Sequence, residues 1–103
     1  MKYTDIQIKE IAKRVLKEIN FSYDESNGFE SIIFNEKDNL IRGDIITPID
    51  TWSVSFYNEG ILSFITSPIF LTISDETGEP FYLQHSQAVI EIELDEDGVA
   101  HKK

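Results

Sequence analysis

The first twenty residues show the apolar spacing of an amphipathic helix. Apolar side chains recur at steps of one and three residues, while most other positions are charged or polar. The apolar positions are Ile8, Ile11, Ala12, Val15, Leu16 and Ile19. Thr4 can cap the helix with Gln7 in a capping box, and Tyr3 and Ile8 occupy the positions of a hydrophobic staple. We therefore predict a helix over about residues 4–20, with its apolar stripe in the core.

From about residue 29 the apolar pattern changes to a period of two, which is typical of half-buried strands. In the clearest case, residues 51–57, Trp52, Val54 and Phe56 alternate with Ser53, Ser55 and Tyr57 and form a face that we expect to meet the helix. Further strands are predicted at 30–35, 40–47, 69–73, 80–84 and 88–94. Whether residues 61–65 form another strand stays open.

Turn signals separate these strands. Residues 36–39 are polar and predict a hairpin turn, and Pro48 should end the strand that follows, because proline cannot donate to a ladder. Residues 75–78 end in glycine and predict a tight hairpin turn. The acidic run at 95–97 should end the sheet, which leaves a frayed tail over residues 95–103.

These elements predict one α+β domain over residues 1–103. Its N-terminal amphipathic helix packs on a curved antiparallel sheet of five or six strands, which spans about residues 29–94. The links between strands are too short for parallel crossovers. Because one helix cannot cover both sheet faces, the other face is solvated, curls around a second core, or is covered by a partner. We expect function on that face.

Charge is the most unusual property of the composition. The 103 residues include 9 basic and 19 acidic side chains, for a net charge of −10. Residues 1–20 hold five basic and three acidic side chains, whereas residues 21–101 hold sixteen acids against Lys37 and Arg42. Such a field repels nucleic acid and anionic membranes and attracts a basic protein, although high charge can also serve solubility alone.

Cysteine is absent, which excludes disulfides and thiolate chemistry. No signal-peptide pattern begins the chain and no stretch reaches about 18 apolar residues, so we expect a cytoplasmic protein. His85 lies in no nucleophile frame, and the acid clusters at 24–25, 75–79 and 95–97 lack the spacing of a calcium loop. Only His85 and His101 could give nitrogen to zinc. We therefore expect no catalytic residues, no metal and no cofactor.

Aromatic side chains outnumber what one helix stripe can cover. The side chains in question are Tyr57, Phe64, Phe70, Phe81 and Tyr82, and some of them must lie elsewhere. Aromatics rimmed by carboxylates can anchor a basic protein partner, and the alternative is that they fill the second face of a curled sheet.

Two motifs carry a resemblance to known families. The first is Thr51–Phe56, with a core tryptophan, and the second is Pro68–Pro80, a strand that ends in an Asp-x-x-Gly turn. This order resembles PepSY-like domains and small bacterial immunity proteins of polymorphic-toxin systems, several of which have a cystatin-like layout of helix on sheet. PepSY-like domains are usually exported or attached to membranes, so the missing signal sequence favours the cytoplasmic immunity group. The resemblance implies no catalytic residues.

Our leading hypothesis is a non-enzymatic protein-binding domain, most concretely an immunity protein that inhibits a cognate basic toxin by charge-steered occlusion. The expected contact residues are Tyr57, Asp75, Glu76, Glu79, Tyr82, Glu91, Glu93 and Asp95. The alternative is an accessory domain that binds a small molecule or peptide in a pocket between helix and sheet. An enzyme acting through His85 ranks third, and a homodimer stays open.

Overall fold

A computed structural model describes residues 2–21, 23, 28–42, 44–57, 68–85 and 88–103, with the backbone alone at 40–42. These residues form one helix and six strands: α1 (Asp5–Glu18), β1 (Ser31–Arg42), β2 (Ile45–Phe56), β3 (Ile69–Ser74), β4 (Pro80–His85), β5 (Ala88–Leu94) and β6 (Ala100–Lys102). The strands form an antiparallel sheet in chain order, and α1 packs on one face. The predicted α+β arrangement is confirmed, whereas Phe64 and the open segment 61–65 lie outside the described residues.

Both ends of α1 are closed by local hydrogen bonds. At the start, the Gln7 N–H donates to Thr4 Oγ1 (3.2 Å) and the Thr4 N–H donates to Gln7 Oε1 (2.9 Å), which confirms the predicted capping box. At the end, Asn20 adopts a left-handed conformation (φ 58°), and the Phe21 N–H donates to the carbonyl of Leu16 (2.9 Å). This second arrangement is a Schellman motif, which satisfies the last carbonyls of the helix.

The core lies between α1 and the sheet. The buried helix residues are Ile8, Ala12, Val15 and Leu16, followed by Ile19 just beyond the helix. They meet the face of β2 that carries Trp52, Val54 and Phe56, as the alternation predicted. Strand register continues this apolar face into β3, because those three residues stand opposite Ile73, Leu71 and Ile69.

The first hairpin departs from the prediction. The predicted turn at 36–39 is wrong, because β1 continues to Arg42 through an irregularity between Asn35 and Asp38, with Lys37 left-handed (φ 50°). The predicted stop at Pro48 is also wrong, because Pro48 lies within β2, opposite Asn39. Proline is tolerated there because β3 pairs only with the part of β2 from residue 51 onward. Residues 36–42 and 44–50 therefore extend beyond the rest of the sheet as a two-stranded ribbon.

The predicted frayed tail over 95–103 is wrong as well. Residues 100–102 form β6 beside β5, and Ala100 is fully buried in the core. The Ala100 N–H donates to Glu18 Oε1 (3.0 Å), and the Lys103 N–H donates to the carbonyl of Glu91 (2.8 Å). The acidic run is a turn between two strands, so charge at 95–97 marks a connection and not the end of the sheet.

The predicted turn at 75–78 is confirmed, and its glycine has two functions. Gly78 is left-handed (φ 76°), and its N–H donates to the carbonyl of Ser74 (3.0 Å). A Cβ at this position would stand 2.9 Å from Tyr3 Oη, so the turn also needs the space that glycine leaves. Gly98, in the turn before β6, shares the left-handed conformation (φ 79°), but a Cβ at that position would meet no atom within 4 Å.

We expect Gly78→Ala to destabilise the protein more than Gly98→Ala does. Both variants place an alanine in the left-handed region, at a cost of about 1–2 kcal/mol. Only Gly78→Ala also pushes against Tyr3, which should add about 1 kcal/mol. Urea unfolding of the two variants and the wild type measures both losses, and equal losses would contradict a steric role for Gly78.

Candidate functional site

The sheet face opposite α1 is the candidate site. Successive strand residues alternate between faces, so the residues between the core positions lie on this side. No helix or strand covers it within the described ranges. We call it the helix-free face and define it by Ile33, Ser53, Ser55, Phe70, Thr72, Tyr82, Gln84, Val89, Glu91, Glu93 and His101.

Short polar side chains form the floor of the helix-free face. Ser31 Oγ lies 2.6 Å from Ser55 Oγ, and Asn35 Nδ2 donates to Ser53 Oγ (2.7 Å). Thr72 is buried at the middle of the same face. No buried side-chain nitrogen or oxygen among the described residues lacks a hydrogen bond. The side chains of the floor are short, and its buried polar groups already have hydrogen-bond partners. A partner protein can therefore cover the floor without leaving those groups unpaired.

Three large apolar side chains stand on this floor. Ile33 is 52% exposed, Phe70 38% and Val89 57%. Phe70 and Val89 lie in one cross-strand row, with Gln84 between them, and Ile33 stands on the edge strand β1. Large apolar groups exposed together on one uncovered face make it a candidate contact surface. Only Phe70 was singled out from the sequence, because the misplaced first hairpin left the face of Ile33 unassigned.

Acidic side chains flank the apolar ones on β5. Glu91 and Glu93 are both exposed, and they stand opposite Tyr82 and His101 respectively. Glu91 also lies 3.9 Å from the ammonium of Lys103. The structure therefore brings together three of the predicted contact residues, Tyr82, Glu91 and Glu93, on the helix-free face.

Four further predicted residues, Asp75, Glu76, Glu79 and Asp95, lie at one end of the sheet. In an antiparallel sheet in chain order, alternate connections lie at the same end, which groups the ribbon tip, the β3–β4 turn and the β5–β6 turn. Glu76 and Glu79 are exposed in the β3–β4 turn. We call this group the acidic end; its carboxylates are Glu36, Asp38, Asp44, Asp50, Asp75, Glu76, Glu79, Asp95, Glu96 and Asp97.

Tyr57 stands apart from these residues. It directly follows β2 and is half-buried. The carboxyl end of β2 is opposite the acidic end, because β2 enters the sheet from the ribbon. The structure therefore does not bring Tyr57 together with Glu76 and Glu79, as the predicted contact set had implied.

Asp75 has an internal role, and its prediction as an exposed contact residue is wrong. Only 4% of it is exposed. Trp52 Nε1 donates to Oδ1 (2.7 Å), and the N–H groups of Lys2 and Tyr3 donate to Oδ2 (2.8 Å) and Oδ1 (3.1 Å). Burial raises the pKa of Asp75, but these hydrogen bonds outweigh burial and hold the pKa below its ordinary value. A buried tryptophan needs a hydrogen-bond acceptor for its indole N–H. This requirement is the sequence signal that could have predicted the contact of Trp52 with Asp75.

Asp95 is exposed but also holds a turn. Its Oδ1 accepts from the N–H groups of Val99 and Asp97, both at 2.9 Å, and its Oδ2 lies 2.8 Å from His101 Nε2. The N–H of Val99 and the His101 ring lower the pKa of Asp95. Asp95 therefore remains an acid at the acidic end while it shapes the link between β5 and β6.

Comparisons with known protein families, with curated proteins and with solved structures found no match for this chain. The site is therefore interpreted from its own chemistry. Among the described residues, no three His, Asp or Glu side chains are grouped so that they could hold a metal ion. In the same part of the chain, no helix is both long enough and apolar enough to cross a membrane.

A groove of about 620 Å³ opens at the acidic end. It is lined by the ribbon, by the segment before α1 and by the β3–β4 turn. Its position differs from the pocket between helix and sheet that the alternative hypothesis expected, because buried apolar side chains fill that interface. Neither of its basic residues, Lys2 and Lys37, was predicted from the sequence as part of a site. Lys37 had been assigned to a turn at 36–39, whereas it lies within β1.

We expect Asp75→Asn to lower the free energy of unfolding by about 2 kcal/mol at pH 7, because three hydrogen bonds lose an ionised acceptor. The folded pKa lies below the unfolded one, so the wild-type advantage is complete above about pH 5 and declines as the pH falls below about 4.

Urea unfolding followed by fluorescence of the single tryptophan measures this advantage at pH 7 and at about pH 3. Glu79→Gln, in the same turn but exposed, is the matched control and should change stability little. An Asp75→Asn deficit of the same size at both pH values would contradict the ionised link.

Proposed function

We propose that this chain is a non-enzymatic protein-binding domain whose partner is a basic protein. The observation that carries the proposal is the helix-free face, where Ile33, Phe70 and Val89 are exposed beside Glu91 and Glu93. The apolar side chains supply area that gains from being removed from water, and the carboxylates attract and orient the partner.

The acidic end adjoins the helix-free face and adds exposed carboxylates to it. The turns with Glu76, Glu79 and Asp95 extend the face in one direction, so a partner that covers the face also meets these acids. The partner's contact surface is therefore apolar at its centre and basic toward one side.

Charge favours a basic protein over other occupants. A net charge of −10 repels the phosphates of nucleic acid, the headgroups of an anionic membrane and a second copy of the chain. The exposed groups on the solvent side of α1 are mixed in sign, with Lys13 near Glu10 and Arg14 near Glu18. Attraction for a basic partner is therefore strongest away from the helix.

The specific form of the proposal is an immunity protein in the bacterial cytoplasm. It would neutralise a toxin, such as a nuclease, by covering the basic surface that the toxin uses to hold its own acidic substrate. Support for this form comes from the resemblance of the Thr51–Phe56 and Pro68–Pro80 motifs to such proteins, together with the excess of acidic side chains. Occlusion requires no catalytic group on the inhibitor.

Capture from native lysate tests the proposal. The tagged wild-type chain is washed at about 0.05 M and about 0.5 M salt, and retained proteins are identified by mass spectrometry. A basic protein retained at low salt and reduced at high salt is expected. If no basic protein is retained at either salt concentration from cells that make the chain, the proposal loses its support.

Charge reversal then locates the interface. We expect Glu93→Lys to slow association with the captured partner several-fold at about 0.05 M salt and to have little effect at about 0.5 M, because steering is screened. Glu10→Lys changes the net charge equally but lies on α1, and it should leave the rate near that of the wild type. Equal slowing by both variants would contradict binding through the helix-free face. Surface-immobilised kinetics provide the rates.

The apolar part has its own test. Phe70→Ser should accelerate dissociation of the partner, since a central apolar contact acts mainly on the off-rate. Ile6→Ser removes a comparably large side chain that is 70% exposed on α1, and it serves as the control. Thermal unfolding of both variants checks that the sheet is intact. Unchanged dissociation with Phe70→Ser would remove Phe70 from the interface.

A further inference from the structure

The groove at the acidic end is held in shape by hydrogen bonds across its walls. The Lys37 N–H donates to Asp50 Oδ1 (2.9 Å), which fixes the irregular part of β1 to β2. The Asp75 N–H donates to the carbonyl of Asp50 (3.0 Å), which fixes the turn to β2. The Lys2 N–H donates to Asp75 Oδ2 (2.8 Å), which fixes the segment before α1. Three separate stretches of chain are therefore joined around one opening.

The groove carries both signs of charge and an apolar wall. Lys2 and Lys37 line it, and neither ammonium lies within ion-pair distance of a carboxylate in the described part of the chain. Three carboxylates also line the groove: Asp75 is occupied by internal donors, Asp50 is half-buried with its Oδ1 accepting from the Lys37 N–H, and Glu76 is exposed. Pro48 and Ile49 add apolar surface. The placement of Lys37 is notable because residues 21–101 contain only one other basic side chain.

We propose that this groove binds a zwitterionic ligand of amino-acid or dipeptide size that has an apolar side chain. The ligand's carboxylate pairs with Lys2 and Lys37, and its ammonium pairs with Glu76. A plain anion is disfavoured by the net charge of −10, and a plain cation meets two lysines. A zwitterion has no net charge and matches both signs, and 620 Å³ lies within the usual 300–1,000 Å³ of small-ligand sites.

This assignment does not depend on the protein-binding function. The groove shares Glu76 with the acidic end of the proposed interface, but its other lining residues lie on the ribbon, before α1 and in the β3–β4 turn, away from the apolar contacts on β1, β3 and β5. Its test uses the isolated chain and defined small molecules, so failure of one proposal leaves the other unaffected.

Backbone-amide NMR of the full chain tests the site with L-leucine and the dipeptide Leu-Leu. Saturable shifts of the Lys37 and Asp75 amides are expected, because both N–H groups belong to the groove's own hydrogen bonds. N-acetyl-leucine lacks the ammonium and leucinamide lacks the carboxylate, so each should bind several-fold more weakly than leucine. Absence of saturable shifts with both L-leucine and Leu-Leu up to about 20 mM, a weak affinity on the usual scale, would overturn the proposal.

Two charge-neutralising variants assign the roles within the groove. Lys37→Gln should weaken leucine binding about threefold and strengthen leucinamide binding, since leucinamide is a cation that the lysine repels. Glu76→Gln should weaken leucine binding and strengthen that of N-acetyl-leucine. Lys9→Gln, exposed on α1, is the control and should change neither. All three keep the backbone hydrogen bonds. Tighter binding of N-acetyl-leucine than of leucine to the wild type would show a simple anion site and overturn the assignment.

Discussion

The carboxylate of Asp75 is the constraint on which the arrangement of the other elements depends. It accepts from the indole of Trp52 in the central strand region and from two backbone N–H groups directly before α1. One buried acid therefore fixes where the helix begins relative to the sheet. The adjacent Gly78 leaves room for Tyr3 in the same place, so packing and hydrogen bonding agree on a single position for the N-terminal segment. Once α1 is fixed at that end, its apolar stripe lies over β2 and β3.

A single helix on a wide sheet gives the molecule two unlike sides. On one side, the apolar face of β2 and β3 is fully used by α1. On the other side, the Ser55 hydroxyl shares a hydrogen bond with Ser31 and Thr72 is buried, while Phe70 is exposed. The antiparallel order of the strands then collects three acidic connections at one end. The main core and the proposed binding surface therefore lie on opposite faces of the sheet.

The accuracy of the sequence prediction depended on how local each signal was. The capping box at Thr4 and the alternation around Trp52 act over a few residues, and both were predicted correctly. Pro48 was misread because its tolerance depends on where β3 ends, which no nearby residue reveals. The strand within residues 95–103 was missed because Ala100 is positioned by a hydrogen bond to Glu18, which lies 82 residues earlier in the chain. The same reason removed Asp75 from the exposed contact set: its donors lie 72 and 73 residues away.

The hydrogen bond from Ala100 to Glu18 also bears on how the chain folds. It joins residues 82 positions apart, and the contact of Lys2 with Asp75 spans 73. The entropy cost of closing loops of this length is incurred before the distant contacts can offset it. Proteins rich in such contacts therefore fold more slowly. The helix precedes all six strands in the chain, and Glu18 gains Ala100 as a neighbour only after 82 further residues have been added. The part of the core that Ala100 completes therefore closes last, after the helix has met the earlier strands.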